Sequence, residues 1–519
     1  MKRTRLAVMA AVIAATAAAA PAATAVDRHR PAARRPNVIV ILADDLGYGD
    51  TAVYGSKIVK TPNIDALAAD GVRFTDAYVT HPVCAPSRAG LLTGRYQTRF
   101  GWEFNPVGRD RQGGVSLHEA FIGQIMKTAG YHTGMIGKWH LGEAPGYQPV
   151  DRGFDEFFGT LQGATAYITD PQPGDDSYDP PGAAASYRAT AEDPLPPDAT
   201  VAQRMAYVRA HAPIRRGREV AKVPGYVTEA FTAEAVRFIG ANRTRPFFLY
   251  LAYNAPHTPL QATRKYLDRY PDVSDRGKRV YAAMVSALDD GVGEVRAKLK
   301  AEGLEKDTLI VFLSDNGCAG YVQGACSNAP LSGFKGTHLE GGVRVPFIAA
   351  WPGRIPAGRV DDRMVSSLDI VPTAAALVGA KLPHGSDGVN LMPYLAGGDG
   401  RTPNPTLYWR AGNTFAIRDA GWKLWLADKA DPDGKPGPEA AITPNGTPLT
   451  PSPFGQHAML YDLSSDLGET RNRAGDQPGV VAALKAKLKA WNKGNVPAQW
   501  TSMRQSTRRQ DGQLLKLYD

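Results

Sequence analysis

Four apolar-rich runs punctuate the chain, and each is followed at once by polar residues. They are Asn37-Val-Ile-Val-Ile-Leu42 before Asp44 and Asp45, Tyr131 to Gly137 before Lys138 and His140, Pro246-Phe-Phe-Leu-Tyr-Leu-Ala252 before His257, and Thr308-Leu-Ile-Val-Phe-Leu-Ser314 before Asp315 and Asn316. Short runs of this kind are the pattern of strands covered on both faces, as in parallel sheets. Between them, apolar residues recur at helical spacing over Leu117 to Ala129, Tyr226 to Ala241, Tyr281 to Gly303 and Ile370 to Leu377. Thr61 to Gly71 reads as a capped helix, Val72 to Tyr78 as a short strand, and Phe347 to Trp351 as another strand. Strands alternating with helices predict an α/β domain whose strand ends converge along one edge, where such sheets place their ligands. From about Asn404 the pattern changes to short strands at Leu407 to Arg410, Phe415 to Arg418 and Lys423 to Leu426, with a helix near Val480 to Lys493. The expected fold is therefore a large domain with a mostly parallel sheet flanked by helices, beside a smaller C-terminal α+β domain with a short antiparallel sheet. The boundaries are a catalytic domain over 37–403 and a C-terminal subdomain over 404–519.

Composition changes the picture mainly at the N-terminus. Lys2, Arg3 and Arg5 precede an Ala-rich apolar run and Ala23-Thr-Ala25, the layout of a secretory signal with an Ala-x-Ala cleavage site. Residues 1–25 are read as that signal and 26–36 as a basic tail, so the mature chain is expected to be secreted, periplasmic or extracellular, without stable membrane insertion. Removing 1–25 takes those three cations and no acid, lowering the formal charge from +9 to +6. Apart from Arg28 to Arg35 the basic residues are scattered, and that run reads as a solvated tail rather than a nucleic-acid arm; the modest basic excess suits an anionic substrate. The Pro/Asp/Gly/Ala-rich stretch from Asp170 to Pro197 and the Pro-rich Asp431 to Gly455 read as loops. Asn242-Arg-Thr and Asn445-Gly-Thr match the glycosylation acceptor pattern.

The most informative stretch is His81-Pro-Val-Cys-Ala-Pro-Ser-Arg-Ala-Gly-Leu-Leu-Thr-Gly-Arg95. Pro86 and Ser87 suit the first positions of a helix that Gly94 ends, which places Cys84 at the positive end of that helix with Arg88 about one turn on. That arrangement receives anions. Cys84-Ala-Pro-Ser-Arg88 followed by Ala-Gly-Leu-Leu-Thr-Gly-Arg95 resembles the first signature of the type I sulfatases. Gly130-Tyr-His-Thr-Gly-Met-Ile-Gly-Lys-Trp-His140 resembles the second. The resemblance runs from about Asn37 into the C-terminal region.

It implies an alkaline-phosphatase-like fold and an exported hydrolase of aryl or carbohydrate sulfate monoesters, matured by a formylglycine-generating enzyme that oxidises Cys84. Asp44, Asp45, Asp315 and Asn316, an oxygen-only set, suit Ca²⁺ or Mg²⁺ over zinc; the resemblance favours Ca²⁺, with an oxygen of the converted Cys84 as a further ligand. A hydrated formylglycine offers two hydroxyls, one to attack sulfur and one whose proton is drawn off to expel sulfate. Arg88 would position it, Lys138 and Lys335 would neutralise sulfuryl oxygens, His257 would protonate the leaving alcohol and His140 would drive the release. One departure is that the serine many sulfatases place near the sulfate has no match around Gln162-Gly163-Ala164. Cys318 and Cys326 remain as a disulfide pair or as two thiols. Two alternatives stay open: a phosphodiesterase or phosphonate monoester hydrolase of the same superfamily, and a sulfoglycan-binding protein without turnover.

Overall fold

The computed structural model describes residues 35–106, 113–180, 199–322, 324–398, 400–428, 457–500, 505–510 and 512–518. The expected signal and nearly all of the basic tail, much of both long loops and the Asn445 acceptor lie outside them.

Ten strands form the central sheet: β1 (Asn37–Ala43), β2 (Gly71–Phe74), β3 (His132–Lys138), β4 (Glu156–Thr160), β5 (Arg215–Arg216), β6 (Glu219–Val220), β7 (Phe247–Ala252), β8 (Thr308–Ser314), β9 (Phe347–Ala350) and β10 (Arg359–Asp361). Their spatial order is β10-β2-β9-β8-β1-β7-β3-β4-β5-β6. The five central strands, β8-β1-β7-β3-β4, are all parallel. Antiparallel pairing enters at β9 on one side and at β5 on the other.

Alternate residues of each central strand feed two separate cores. Ile39, Ile41, Leu249, Leu251 and Phe312 face one core, closed by α1 (Pro62–Ala69) and by two long helices defined below. Val38, Val40, Leu42, Phe248, Leu309 and Val311 face the other, closed by α2 (Cys84–Thr93) and α3 (Ile122–Thr128). This is why the runs read as continuously apolar: neither face meets water. A helix α4 (Val201–His211) stands in the insertion after β4. The long helices are α5 (Val227–Ala241) and α6 (Arg276–Ala301), and α7 (Ile370–Val378) packs with α2 and α3.

Several expectations need correction. The strand Val72 to Tyr78 breaks in two because the side chain of Asp76 is drawn out by Arg344 and Arg418. The helix expected from Leu117 starts only at Ile122, where Gln124 Oε1 accepts from the Phe121 amide; Leu117 is exposed. Asp176–Tyr178, read as loop, pairs with Leu260–Ala262. Asn242 is fully buried, its amide donating to Phe238 O and its Oδ1 accepting from Arg245, so it is unsuited to carry a glycan. Of the two states open for Cys318 and Cys326, the disulfide holds, so that reading stands uncorrected.

The antiparallel sheet near the C-terminus runs β11 (Thr406–Ala411), β12 (Thr414–Asp419), β13 (Trp422–Ala427) and β14 (His457–Asp462), in that order. One face packs under α8 (Pro478–Asn492) through Leu484, Leu488 and Trp491. The other packs on Tyr78, Leu339 and Val343. A buried ionic network reinforces that contact: Lys423 Nζ lies 2.7 Å from Glu340 Oε1 and 3.6 Å from Glu469 Oε1.

Candidate active site

The carboxyl ends of the parallel strands and the first turn of α2 meet in one buried cluster. β1 releases Asp44 and Asp45, β8 releases Asp315 and Asn316, β3 ends on Lys138 with His140 two residues on, and β7 leads to His257. Cys84 is the first residue of α2, after Val83 in extended conformation, and Gly94 ends the helix at φ +68°. Lys335 arrives on the loop before Glu340, held by its amide to Cys318 O while Gly336 N donates to Pro82 O.

All ten candidate residues come together. Cys84 Sγ lies 3.1 Å from Lys335 Nζ, 3.5 Å from Asp44 Oδ1 and 3.9 Å from Asp45 Oδ1. Arg88 donates from Nε to Asp315 Oδ2 at 2.8 Å and from Nη1 to Lys138 O at 2.9 Å, with Nη2 3.6 Å from Asp44. Lys138 Nζ donates to Asp44 Oδ2 at 2.6 Å, and Lys335 Nζ to both oxygens of Asp45 at 2.7 and 2.9 Å. Asn316 Nδ2 donates to Asp45 Oδ1 at 2.7 Å. His257 Nε2 faces Asp45 Oδ2 at 3.7 Å. Its Nδ1 lies 2.6 Å from Thr258 O, an acceptor only, which fixes the proton on Nδ1 in the neutral ring.

Three carboxylates thus balance three cations. Burial alone would raise Asp44, but Lys138, His257 and Arg88 hold it well below the usual carboxylate range. Asp45 is likewise lowered, by Lys335 against its burial. Asp315 goes the other way, up to about 6, through burial and the Asp44 charge. Burial pushes the Cys84 thiol up to about 12 against the two lysines, and His257 down to about 4 against Asp44 and Asp45.

The donor set fits a hard divalent cation. Oxygens of Asp44 and Asp45 lie within 4.8 Å of each other and of Cys84 Sγ, and Asn316 Oδ1 is buried without a hydrogen-bond partner. Such an orphaned amide oxygen beside three carboxylates is what an oxygen-coordinated ion would satisfy. A second acidic and sulfur grouping, Asp50 with Cys318 and Cys326, is no ligand set because the two sulfurs are bonded to each other.

His140 sits in the left-handed region at φ +63°, with Nδ1 buried and unpartnered. Gly163 is packed against its ring: a Cβ there would come 2.6 Å from Cε1 and Nε2. The position without a serine hydroxyl is therefore also one where a glycine makes room for His140. Two residues here carry no sequence signal of their own. Tyr321, between the paired cysteines, brings its hydroxyl 3.4 Å from Asp45 Oδ2, and the buried hydroxyl of Thr258 pairs with it.

The chain is similar to known proteins over most of its length. The sulfatase family profile matches residues 36–380. Arylsulfatase A of Homo sapiens is 36% identical over 471 residues, 87% of each chain. N-acetylgalactosamine-6-sulfatase of Canis lupus familiaris is 33% identical over 453 residues, 84% of this chain and 81% of the relative. Among solved structures, that of Ps i-CgsB in complex with k-i-k-neocarrahexaose superimposes with a TM-score of 0.74 at 34% identity, covering 90% of this chain and 95% of that one.

Proposed function

The chain belongs to the sulfatase family of sulfuric ester hydrolases, and from that premise we propose that it is an exported enzyme that cleaves aryl or carbohydrate sulfate monoesters, with Cys84 oxidised to formylglycine beside a calcium ion. The observation that carries this reading is the place of Cys84, at the head of α2 and 3.1 Å from Lys335 Nζ, amid three carboxylates and three cations. The disulfide supports export, since such bonds persist in oxidising compartments.

As a thiol pushed up to about 12, Cys84 stays protonated at neutral pH and is a poor nucleophile. Its hydrated aldehyde supplies a pair of hydroxyls, one to attack and one to permit release. Asp44, Asp45, Asp315 and Asn316 would hold Ca²⁺, whose positive charge would draw the sulfate and acidify a hydroxyl.

The chain's own residues do the rest. Arg88, clamped by Asp315 and the Lys138 carbonyl, orients position 84. The ammonium groups of Lys138 and Lys335 lie on the two aspartates and neutralise the sulfuryl oxygens that approach them. His257, with Nδ1 fixed to Thr258 O, presents Nε2 to the pocket as donor to the departing alcohol. An arriving sulfate anion raises its pKa toward the protonated form that this role requires. His140, with a free ring nitrogen, takes the proton whose loss expels sulfate.

The test pairs two measurements. Mass spectrometry of the peptide spanning Cys84 is expected to show an aldehyde, and Cys84→Ala to abolish hydrolysis of nitrophenyl sulfate. Full turnover by Cys84→Ala overturns the reading, as does faster hydrolysis of the matching phosphate ester.

A further inference from the structure

One wall of the pocket is built by residues outside the assigned machinery. Cys318 and Cys326 close a loop that starts three residues after Asp315, and Tyr321 sits in its single 3₁₀ turn. The tyrosine ring packs outward on the cluster of Ala166, Met205, Val208 and Ala212, which includes helix α4, and inward on the main core. Its hydroxyl points the other way, to Asp45 Oδ2, the same oxygen that His257 Nε2 faces. Thr258, next to His257, is 1% exposed, and its hydroxyl pairs with that of Tyr321. The two hydroxyls thus stand together beside His257, that of Tyr321 held only loosely, at 3.4 Å from Asp45. A phenol held at that distance is free to turn to a better acceptor when one enters the pocket.

We propose that Tyr321 is a substrate-positioning residue whose hydroxyl, backed by that of Thr258, donates to one lone pair of the bridging oxygen of the bound sulfate ester, leaving the other to His257. The proposal rests on the reading of the pocket as a sulfate monoester site. His257, the donor assigned to the departing alcohol, faces the same Asp45 oxygen as the Tyr321 hydroxyl, which puts Tyr321 beside the leaving group. An ordinary tyrosine phenol is a hydrogen-bond donor at neutral pH.

The experiment compares wild type, Tyr321→Phe, Tyr321→Leu and Thr258→Val on two substrates, nitrophenyl sulfate and an alkyl sugar sulfate whose alcohol leaves poorly. Tyr321→Phe keeps the ring and its packing, and removes only the donor. A lost hydrogen bond to a charge-bearing oxygen corresponds to a fall of about tenfold to a hundredfold in kcat/KM. That fall is expected on the sugar sulfate and is expected to be several-fold smaller on nitrophenyl sulfate, because a poor leaving group depends more on donors to its oxygen. Thr258→Val is expected to follow the same order with a smaller loss. Tyr321→Phe within twofold of wild type on both substrates overturns the proposal, and so does an equal loss on both. A loss confined to Tyr321→Leu, reporting ring packing alone, also overturns it. Wild-type protein that turns over neither sulfate sinks the functional reading, an outcome distinct from these.

Discussion

Arg88 offers the sharpest test of how the site is held. Its side chain is fully buried, and its closest charged partner is Asp315, with Asp44 further off. Arg88→Met keeps the length of the side chain and removes the charge, leaving the Asp315 carboxylate without its nearest cation. Breaking a buried pair from one side costs about 3–5 kcal/mol. The pH dependence has a definite sign. Asp315 already stands above its unfolded value of 3.8, at about 6, so its contribution to stability is full below 3.8 and is lost as pH rises through 6. Without Arg88 the folded value climbs further. The variant's deficit is therefore smallest near pH 4 and widens toward pH 7. Denaturant unfolding of cation-free protein, followed by tryptophan fluorescence across that range, measures it. Asp315→Asn and the double variant complete the cycle, and the double is expected to lose less than the sum by more than about 1 kcal/mol. Losses that add within about 0.5 kcal/mol, or a deficit that ignores pH, refute the reasoning.

Three further outcomes follow from other parts of the molecule. Gly163→Ala should push the His140 ring by about 1 Å, cost about 1–3 kcal/mol in stability and lower kcat by about a hundredfold; steady-state kinetics alongside a thermal melt would show a normal kcat if the ring position is immaterial. His81 is buried, and its pKa is lowered to about 3. It contributes stability that is full above its unfolded value of 6.5 and is lost as pH falls, so His81→Asn, which keeps an acceptor for the Val83 amide, should reduce the slope of stability against pH between 6 and 4 by about 1.4 kcal/mol per unit. Lys423→Met should cost about 3–5 kcal/mol by leaving Glu340 and Glu469 facing each other, and adding Glu340→Gln should restore part of it in denaturant melts.

The parts of this fold that were legible in the chain are those where local pattern and tertiary environment agree. β1, β7 and β8 are buried on both faces, so their apolar runs needed no partner to be recognised, and the polar residues after them fell at one sheet edge because parallel strands share a direction. The edges were less legible. β5 and β6 are two-residue strands rich in arginine and glutamate, without apolar periodicity. Asp76 breaks a strand only because Arg344 and Arg418 arrive from hundreds of residues away. Asn242 carries an acceptor motif, yet its burial is set by helix α5 and the turn after it. Within the site, charged and signature residues announced themselves, whereas Tyr321 and Thr258 did not. A tyrosine between two cysteines and a threonine between histidine and proline acquire meaning only where the loop and the strand end cross.

The neighbours of β1 carry a consequence for how the molecule comes into being. Asn37 and Thr308 are hydrogen-bonded across adjacent strands, yet they are 271 positions apart. At the roughly 5–20 residues per second of ribosomal synthesis, that distance is on the order of fifteen to fifty seconds. For most of this interval, once Cys84 has been made, the segment around it has no finished sheet to pack on. Once β8 docks, Cys84 is 1% exposed and sealed under Lys335. If Cys84 is oxidised as proposed, burial of the thiol favours conversion before closure, and the active fraction in a preparation would then depend on which comes first.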